Sequence, residues 1–116
     1  MQVIVNTDNH INGSDALFAE IRDELETGLE RFGSEITRVE VHLADVNGPK
    51  GPADDKRCLM EARVAGRPPI AASHQAASVR EAVDGATEKL ERALATIFDK
   101  EHHTKGRTSF GGDQTI

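Results

Sequence analysis

The sequence predicts an α+β fold, a two-layer sandwich with the element order β-α-β-β-β-α and two helices on one face of a four-stranded mixed sheet. Four short segments are rich in β-branched residues or alternate between apolar and polar side chains, which is typical of strands. Two longer segments repeat apolar residues with the period of a helix. The predicted domain covers residues 1–100. Residues 101–116 have no period and are rich in Gly, Thr and charge, so they are predicted to form a flexible C-terminal tail.

The first strand and the first helix are predicted within residues 2–33. Residues 2–6 are rich in β-branched side chains and end at a polar run. Ser14 is the predicted N-cap of the helix and Gly33 its predicted stop. The apolar stripe of this helix consists of Leu17, Phe18, Ile21, Leu25, Leu29 and Phe32. Gly28 falls inside the stripe at a cost of about 1 kcal/mol relative to alanine, so we expect another element to pack closely there.

Three further strands are predicted after the first helix. Residues 37–46 and 57–64 alternate cleanly, and residues 70–75 form a weaker strand. The connection over residues 47–55 contains two Gly and two Pro, which indicates a flexible loop. Pro68 and Pro69 precede the last strand, and prolines suit an edge position because they cannot donate to a neighbouring strand.

The second helix is predicted over residues 78–100. Ser78 and Glu81 have the spacing of a capping box. The apolar face consists of Val79, Val83, Ala86, Leu90, Ala93, Leu94 and Ile97. A strand, a helix and a strand in succession predict a right-handed crossover with a parallel pair, and the remaining strands form an antiparallel meander. One face of the sheet is then left open to solvent.

Length and composition limit the class of protein. A chain of 116 residues is expected to form one domain. No apolar run is long enough to span a bilayer and no N-terminal leader is visible, so we expect a cytoplasmic protein without a membrane partner. The single Cys58 cannot form an internal disulfide, which fits a reducing compartment.

The charge of the chain is unevenly distributed. The net charge of −6 opposes nucleic-acid binding, but ten of the twenty acids and only three of the fourteen bases lie in residues 1–46. This distribution permits a local basic surface elsewhere.

Two groups of cationic residues are candidates for contacts with phosphate. Lys89, Arg92 and Lys100 share a sector of roughly 80° on the second helix, beside its apolar stripe. The open sheet face is predicted to carry the second group, which consists of Arg38, Arg57 and Arg63 together with His42. Judged by the helix alone, these residues fit better with an ordinary solvated face, on which the long basic side chains lie along apolar surface and keep their charged ends in water. The sheet residues are equally consistent with cross-strand ion pairing, because Glu40 and Glu61 lie among them.

The sequence does not favour an enzyme. Cys58 alternates onto the predicted buried face, where a small core residue is expected rather than a reactive thiol. His102 and His103 are adjacent and lack the spacing of metal ligands. Residues 48–52 lack the pattern of a phosphate loop, and their prolines remove the amides that such a loop uses. We therefore expect no catalytic residue, no metal, no cofactor and no small-molecule substrate.

Several segments together resemble a known family. The first strand opens with Met1-Gln2-Val3, the first helix ends in Leu-Glu-Arg-Phe, and the second strand contains Arg38-Val39-Glu40-Val41. The longest match is residues 82–94, Ala-Val-Asp-Gly-Ala-Thr-Glu-Lys-Leu-Glu-Arg-Ala-Leu. In order and spacing these segments resemble the ribosome hibernation promoting factors and ribosome-associated inhibitors, also called the sigma-54 modulation family, over residues 1–100.

The resemblance implies a function as well as the fold. Family members bind the small ribosomal subunit and its rRNA between head and body, where they block the messenger and transfer RNA channel under stress or starvation. They are not enzymes and need no cofactor. By position, the resemblance places phosphate contacts at Lys89, Arg92 and Lys100. It also implies a short form that acts without the dimerisation domain of the long form, so we expect a monomer off the ribosome.

A second hypothesis remains open at this stage. The first helix carries five acids, namely Glu20, Asp23, Glu24, Glu26 and Glu30. An interaction module of the same fold, without affinity for the ribosome, would use this acidic helix to dock a basic protein partner.

Overall fold

The sheet has four strands in the spatial order β1-β2-β3-β4. The structure, a computed structural model, describes residues 1–8, 11, 13–46 and 56–107, with side chains up to residue 99. The strands are β1 (Gln2–Thr7), β2 (Ile36–Asp45), β3 (Lys56–Val64) and β4 (Ile70–Ala76). β1 and β2 are parallel, whereas β2–β3 and β3–β4 are antiparallel. The α+β class, the mixed sheet and the edge position of the last strand are all confirmed.

Each strand alternates between a helix-covered face and an open face. The covered face of the two central strands is buried and consists of Val39, Val41, Leu43, Cys58, Met60, Ala62 and Val64. The intervening residues of the same strands are half-buried or exposed and point to the open face. The apolar alternation in the sequence therefore predicted the side of the sheet on which the core lies.

The first helix, α1 (Asp15–Gly28), is shorter than predicted. Ser14 caps it as predicted, because its hydroxyl accepts a hydrogen bond from the Leu17 amide at 3.1 Å. The helix ends at Gly28, not at Gly33, and a 3-10 segment follows over Glu30–Glu35. Gly33 lies inside that segment with a φ of 64°, a backbone conformation that favours glycine. The helical spacing of apolar residues continues in the sequence through Phe32, because the 3-10 segment packs Phe32 against the core.

The second helix, α2 (Val79–Arg107), continues beyond its predicted end at Lys100. The predicted capping box is present, because the Ser78 hydroxyl accepts from the Glu81 amide and donates to the Glu81 carboxylate, both at 3.1 Å. Phe98 is buried and stacks on Phe32, with 5.2 Å between the ring centroids. This contact closes one end of the core. The division into a domain of residues 1–100 and a tail of residues 101–116 stays a prediction, and residues 108–116 lie outside the described residues.

Both helices lie on the same face of the sheet. α2 packs against β3 and β4, and α1 contacts β1 and α2. The helices contribute these buried residues to the common core: Ile21, Leu25, Ala82, Val83, Ala86, Leu90, Leu94 and Phe98. The close approach predicted at Gly28 is confirmed, since a Cβ there would meet the Glu91 carboxylate of α2. Gly85 makes an even closer approach, because a Cβ there would overlap the His74 ring on β4.

Within the described residues, no helix combines the length and the hydropathy that crossing a membrane would require.

Candidate nucleic-acid interface

The cationic residues singled out from the sequence lie on two opposite sides of the sheet. Lys89 and Arg92 are on α2, which covers one face. Arg38 on β2, and Arg57 and Arg63 on β3, belong to the alternation that points to the open face. The two groups therefore do not form one flat surface. A ligand that contacts both groups must cross an edge of the sheet.

The helix group comprises Lys89, Arg92 and Lys100, and the two side chains of this group that the structure describes are exposed and already have partners. Lys89 donates from Nζ to the Ser73 carbonyl of the edge strand β4 at 3.0 Å. Arg92 pairs with Glu88 one turn earlier at 3.1 Å, and both side chains are about three-quarters exposed. The third residue of this group, Lys100, has a side chain that lies outside the described residues. The helix group is thus solvent-accessible, and each described member makes one internal side-chain contact.

The sheet group consists of Arg38, Arg57 and Arg63, of which only Arg38 has an ion-pair partner among the described residues. Arg38 contacts Glu40 with 3.0 Å between Nη2 and Oε2, while its buried Nε has no hydrogen-bond partner in the part of the chain that the structure describes. Arg57 and Arg63 are exposed, and no described residue pairs with either guanidinium. Arg63 lies opposite Arg38 in the register of β2 and β3. Ion pairing along β2 therefore accounts for Arg38, whereas no ion pair with another described residue engages Arg57 or Arg63, which leaves both available to a ligand.

Two glutamates and a histidine separate Arg57 from the Arg38–Arg63 pair. Glu40 is directly opposite Glu61 across the two central strands. His42 Nε2 is 3.6 Å from a Glu40 oxygen and 3.4 Å from a Glu61 oxygen. The open face thus carries cations at its two ends and carboxylates in its middle.

The acidic helix α1 is tied to α2 through an arginine that the sequence analysis did not single out. Arg80, in the first turn of α2, contacts both Glu20 and Glu24, the latter at 2.9 Å. Its third partner is Asp84 at 3.8 Å. The spacing of Glu20 and Glu24 by four residues places them on one side of α1, which was visible in the sequence. Their partner depends on how the two helices pack, which was not visible.

Glu24, one of the two α1 carboxylates that contact Arg80, has a raised pKa. Burial, then the hydrogen bond with Asp84 and the negative charge of Asp84, raise the pKa of Glu24 above its usual value. Arg80 and a hydrogen bond with Thr87 act in the opposite direction and do not outweigh these effects. The folded state therefore disfavours the charged form of Glu24.

Cys58 is a buried core residue, as its place in the alternation predicted. It is completely inaccessible to solvent. Burial and the nearby negative charge of Glu24 raise the pKa of the thiol to about 12. A thiol with so high a pKa is not ionised at neutral pH and is a poor nucleophile.

Comparison with models of known protein families shows to which family the chain belongs. The family model described as Sigma 54 modulation protein / S30EA ribosomal protein matches residues 4–102. The chain belongs to this family. The match covers most of β1, the other three strands, α1 and most of α2, so the resemblance inferred from the sequence is confirmed.

Solved structures support the same fold. A ribosomal subunit interface protein from Coxiella burnetii is similar, with a TM-score of 0.64 and 20% identity over 85% of this chain and 99% of that one. The N-terminal domain of Protein Y from Thermus thermophilus is also similar, with a TM-score of 0.59 and 19% identity over 84% of this chain and 99% of that one. No protein with a curated function matches the sequence. At these identities the structural likeness establishes the fold, and contact residues have to be argued from this chain.

Proposed function

We propose that this protein is a ribosome-associated translation regulator. In this proposal it binds the rRNA of the small subunit and occupies the messenger and transfer RNA channel under stress or starvation. The observation that carries the proposal is the family match over residues 4–102. The names of two structural relatives, a ribosomal subunit interface protein and Protein Y, point in the same direction for those proteins.

The exposed cations support contact with RNA in spite of the acidic net charge. The pair between Arg92 and Glu88 is exposed and joins neighbouring helix turns, and such pairs contribute only about 0.3–0.5 kcal/mol. A bidentate contact between an arginine and a phosphate is stronger because both groups are charged and the geometry is matched. A phosphate can therefore replace Glu88 as the partner of Arg92.

The edge strand β4 connects the two groups of cations. Lys89 reaches the Ser73 carbonyl from the helix side. On the open face, Arg57 is opposite Gln75, two residues further along the same strand. An RNA backbone that passes this edge would have Lys89 on one side and Arg57 on the other. We propose that this edge, with Arg92 and Lys100 on α2 and Arg38 and Arg63 on the sheet, forms the rRNA contact.

We propose no reaction, cofactor or small-molecule substrate for this chain. The family comprises ribosome-associated factors that are not known as enzymes. We further propose that the protein acts in the cytoplasm and is a monomer away from the ribosome.

Co-sedimentation with purified small subunits and whole ribosomes tests the proposal. The wild-type chain is compared with Lys89→Glu/Arg92→Glu at low and moderate salt. Arg22→Glu/Arg31→Glu is the matched control, because it makes the same change in net charge at two exposed positions of α1 and the following segment. Thermal unfolding of each variant verifies that it is folded.

The expected result is stoichiometric pelleting of the wild type and of the control at low salt, with loss of pelleting in Lys89→Glu/Arg92→Glu. Pelleting should weaken as salt increases, because binding to phosphates releases counterions. Absence of wild-type pelleting at low salt would contradict ribosome association. Equal pelleting of all three proteins would support association with the ribosome but would show that Lys89 and Arg92 make no contact in the interface.

One observation keeps the interaction module as a second candidate. Asp23, Glu26 and Glu30 are exposed, and no described residue pairs with them. Glu20 and Glu24 are unsuitable for testing this idea, because both contact Arg80 and their replacement would also loosen the packing of the helices. Asp23→Lys/Glu26→Lys is the appropriate variant. If it abolishes capture of a basic protein while ribosome pelleting is absent, the second candidate is favoured.

A further inference from the structure

We propose that the open sheet face holds a binding site for a divalent transition metal of the zinc type, with Glu40, His42 and Glu61 as its ligands. One oxygen from each carboxylate and one ring nitrogen of His42 all lie within 4.8 Å of one another. No feature of the family match or of the structural relatives assigns a metal here.

Both distances from the His42 nitrogen are close to those that a metal ion requires, and the two carboxylate oxygens lie within 4.8 Å of each other. Zinc binds imidazole nitrogen and carboxylate oxygen at about 2.0–2.2 Å, so two ligand atoms in a tetrahedral site lie about 3.4 Å apart. His42 Nε2 lies 3.4 Å from the Glu61 oxygen and 3.6 Å from the Glu40 oxygen. Small side-chain rotations suffice to enclose an ion, and a water molecule can complete its coordination.

The backbone fixes the three ligands in place. Glu40 and His42 are two residues apart on β2 and therefore point to the same face, and Glu61 is directly opposite Glu40 on β3. Both strands are central and are hydrogen-bonded on both sides. Ligands on such rigid elements keep their geometry better than ligands on loops.

Arg38 orients Glu40 so that one oxygen is left for the metal. The guanidinium contacts Oε2 of Glu40, whereas Oε1 faces His42. A group that holds the outer oxygen of a ligating carboxylate reduces its freedom and directs the inner oxygen to the ion. Arg38 thereby acts as a positioning residue in this site.

The donor set selects the class of ion. An imidazole nitrogen with two carboxylates suits zinc and neighbouring transition metals, whereas calcium and magnesium prefer all-oxygen sites. Two glutamates directly opposite each other in a sheet also repel, and a dication between them would remove that repulsion. The three side chains are between about one-quarter and one-half exposed, so an ion can enter from solvent.

Calorimetric titration of the untagged chain with ZnCl2 tests the site. We expect one Zn²⁺ per chain, and we expect His42→Gln and Glu61→Gln each to lower the affinity at least tenfold. Zn²⁺ should also raise the melting temperature of the wild type and leave that of His42→Gln unchanged, because a ligand stabilises only the state that binds it.

The matched control is His102→Gln/His103→Gln, which removes the two adjacent histidines near the C-terminal end of the sequence. This variant should bind Zn²⁺ as the wild type does. Loss of binding in this control, or equal binding by the wild type and by folded His42→Gln and Glu61→Gln, would overturn the proposal. Absence of saturable binding to the wild type would overturn it too and would assign the three side chains to an ion-pair cluster.

Discussion

The two faces of the sheet differ in what holds their side chains in place. On the covered face, Met60 and Ala62 are fully buried against the helices, and each position is determined by packing. On the open face of the same strand, Leu59 and Glu61 are half-buried and Arg57 and Arg63 are exposed. One face therefore determines whether the chain folds, and the other is free to specify what it binds. Variants on each face can separate these two roles.

The largest expected effect is a difference in the free energy of unfolding between a leucine-to-alanine change in the core and the same change on the open face. Leu90→Ala on α2 removes a fully buried side chain from the core and should lower the free energy of unfolding by about 2–5 kcal/mol. Leu59→Ala on the open face should lower it by about 1 kcal/mol or less. Urea unfolding followed by circular dichroism measures both values. Similar losses for the two variants would show that the open face is part of the core.

A pair of glycine substitutions tests the packing of α2 more finely. In Gly85→Ala the new methyl group overlaps the His74 ring, so we expect a loss of about 1–3 kcal/mol in the free energy of unfolding. In Gly28→Ala the methyl group meets only the flexible end of Glu91. That variant should keep or increase stability, because alanine favours a helix by up to about 1 kcal/mol over glycine. Equal effects of the two substitutions in urea unfolding would contradict this account of the helix–sheet contact.

The raised pKa of Glu24 predicts a pH dependence on the covered side. Because the folded state holds this proton more tightly than the unfolded state, whose pKa is near 4.5, stability from this group falls as pH rises from 4.5 through the folded pKa. Glu24→Gln removes that loss. The stability of the variant relative to the wild type, measured as the free energy of unfolding, should therefore be higher at pH 7 than at pH 4. A constant or reversed difference in urea midpoints between the two pH values would show that the Arg80 contact dominates.

The smallest effect concerns the helix group of cations. Glu88→Gln removes the internal partner of Arg92 and should tighten binding to the small subunit about twofold, in line with the weakness of an exposed ion pair. Asp99→Asn is the control, because it removes one negative charge from an exposed position on the same helix without releasing Arg92. If both variants bind equally, only net charge matters and Arg92 makes no specific contact.

Most of the fold was predictable because its determinants are local. Alternation located the strands, the capping residues Ser14 and Ser78 marked the helix starts, and the order of elements implied the sheet. The end of α1 was wrong because a 3-10 turn preserves the apolar spacing of a helix through Phe32. The role of Phe98 was missed because its contact with Phe32 joins two distant segments.

The candidate site was predictable in its residue types but not in its pairings. The sequence indicated which cations lie on α2 and which lie on the open face. It did not show that Lys89 reaches the Ser73 carbonyl, that Arg80 bridges α1 and α2, or that Arg57 has no ion-pair partner among the described residues. These contacts depend on side-chain rotamers and on the distances between elements. The periodicity of a single sequence gives no information on either.

The most direct test of an rRNA contact around the β4 edge is the affinity for purified small subunits as a function of KCl concentration. The wild type, Lys89→Glu/Arg92→Glu and Arg57→Glu/Arg63→Glu are compared with the control Arg22→Glu/Arg31→Glu. If the two groups of cations contact rRNA around the β4 edge, each of the first two variants weakens binding. Each should also lower the slope of log affinity against log salt by about two, roughly one for each lost phosphate contact. The control should match the wild type. Wild-type binding that is absent at low salt, or slopes that are the same for all four proteins, would contradict the account.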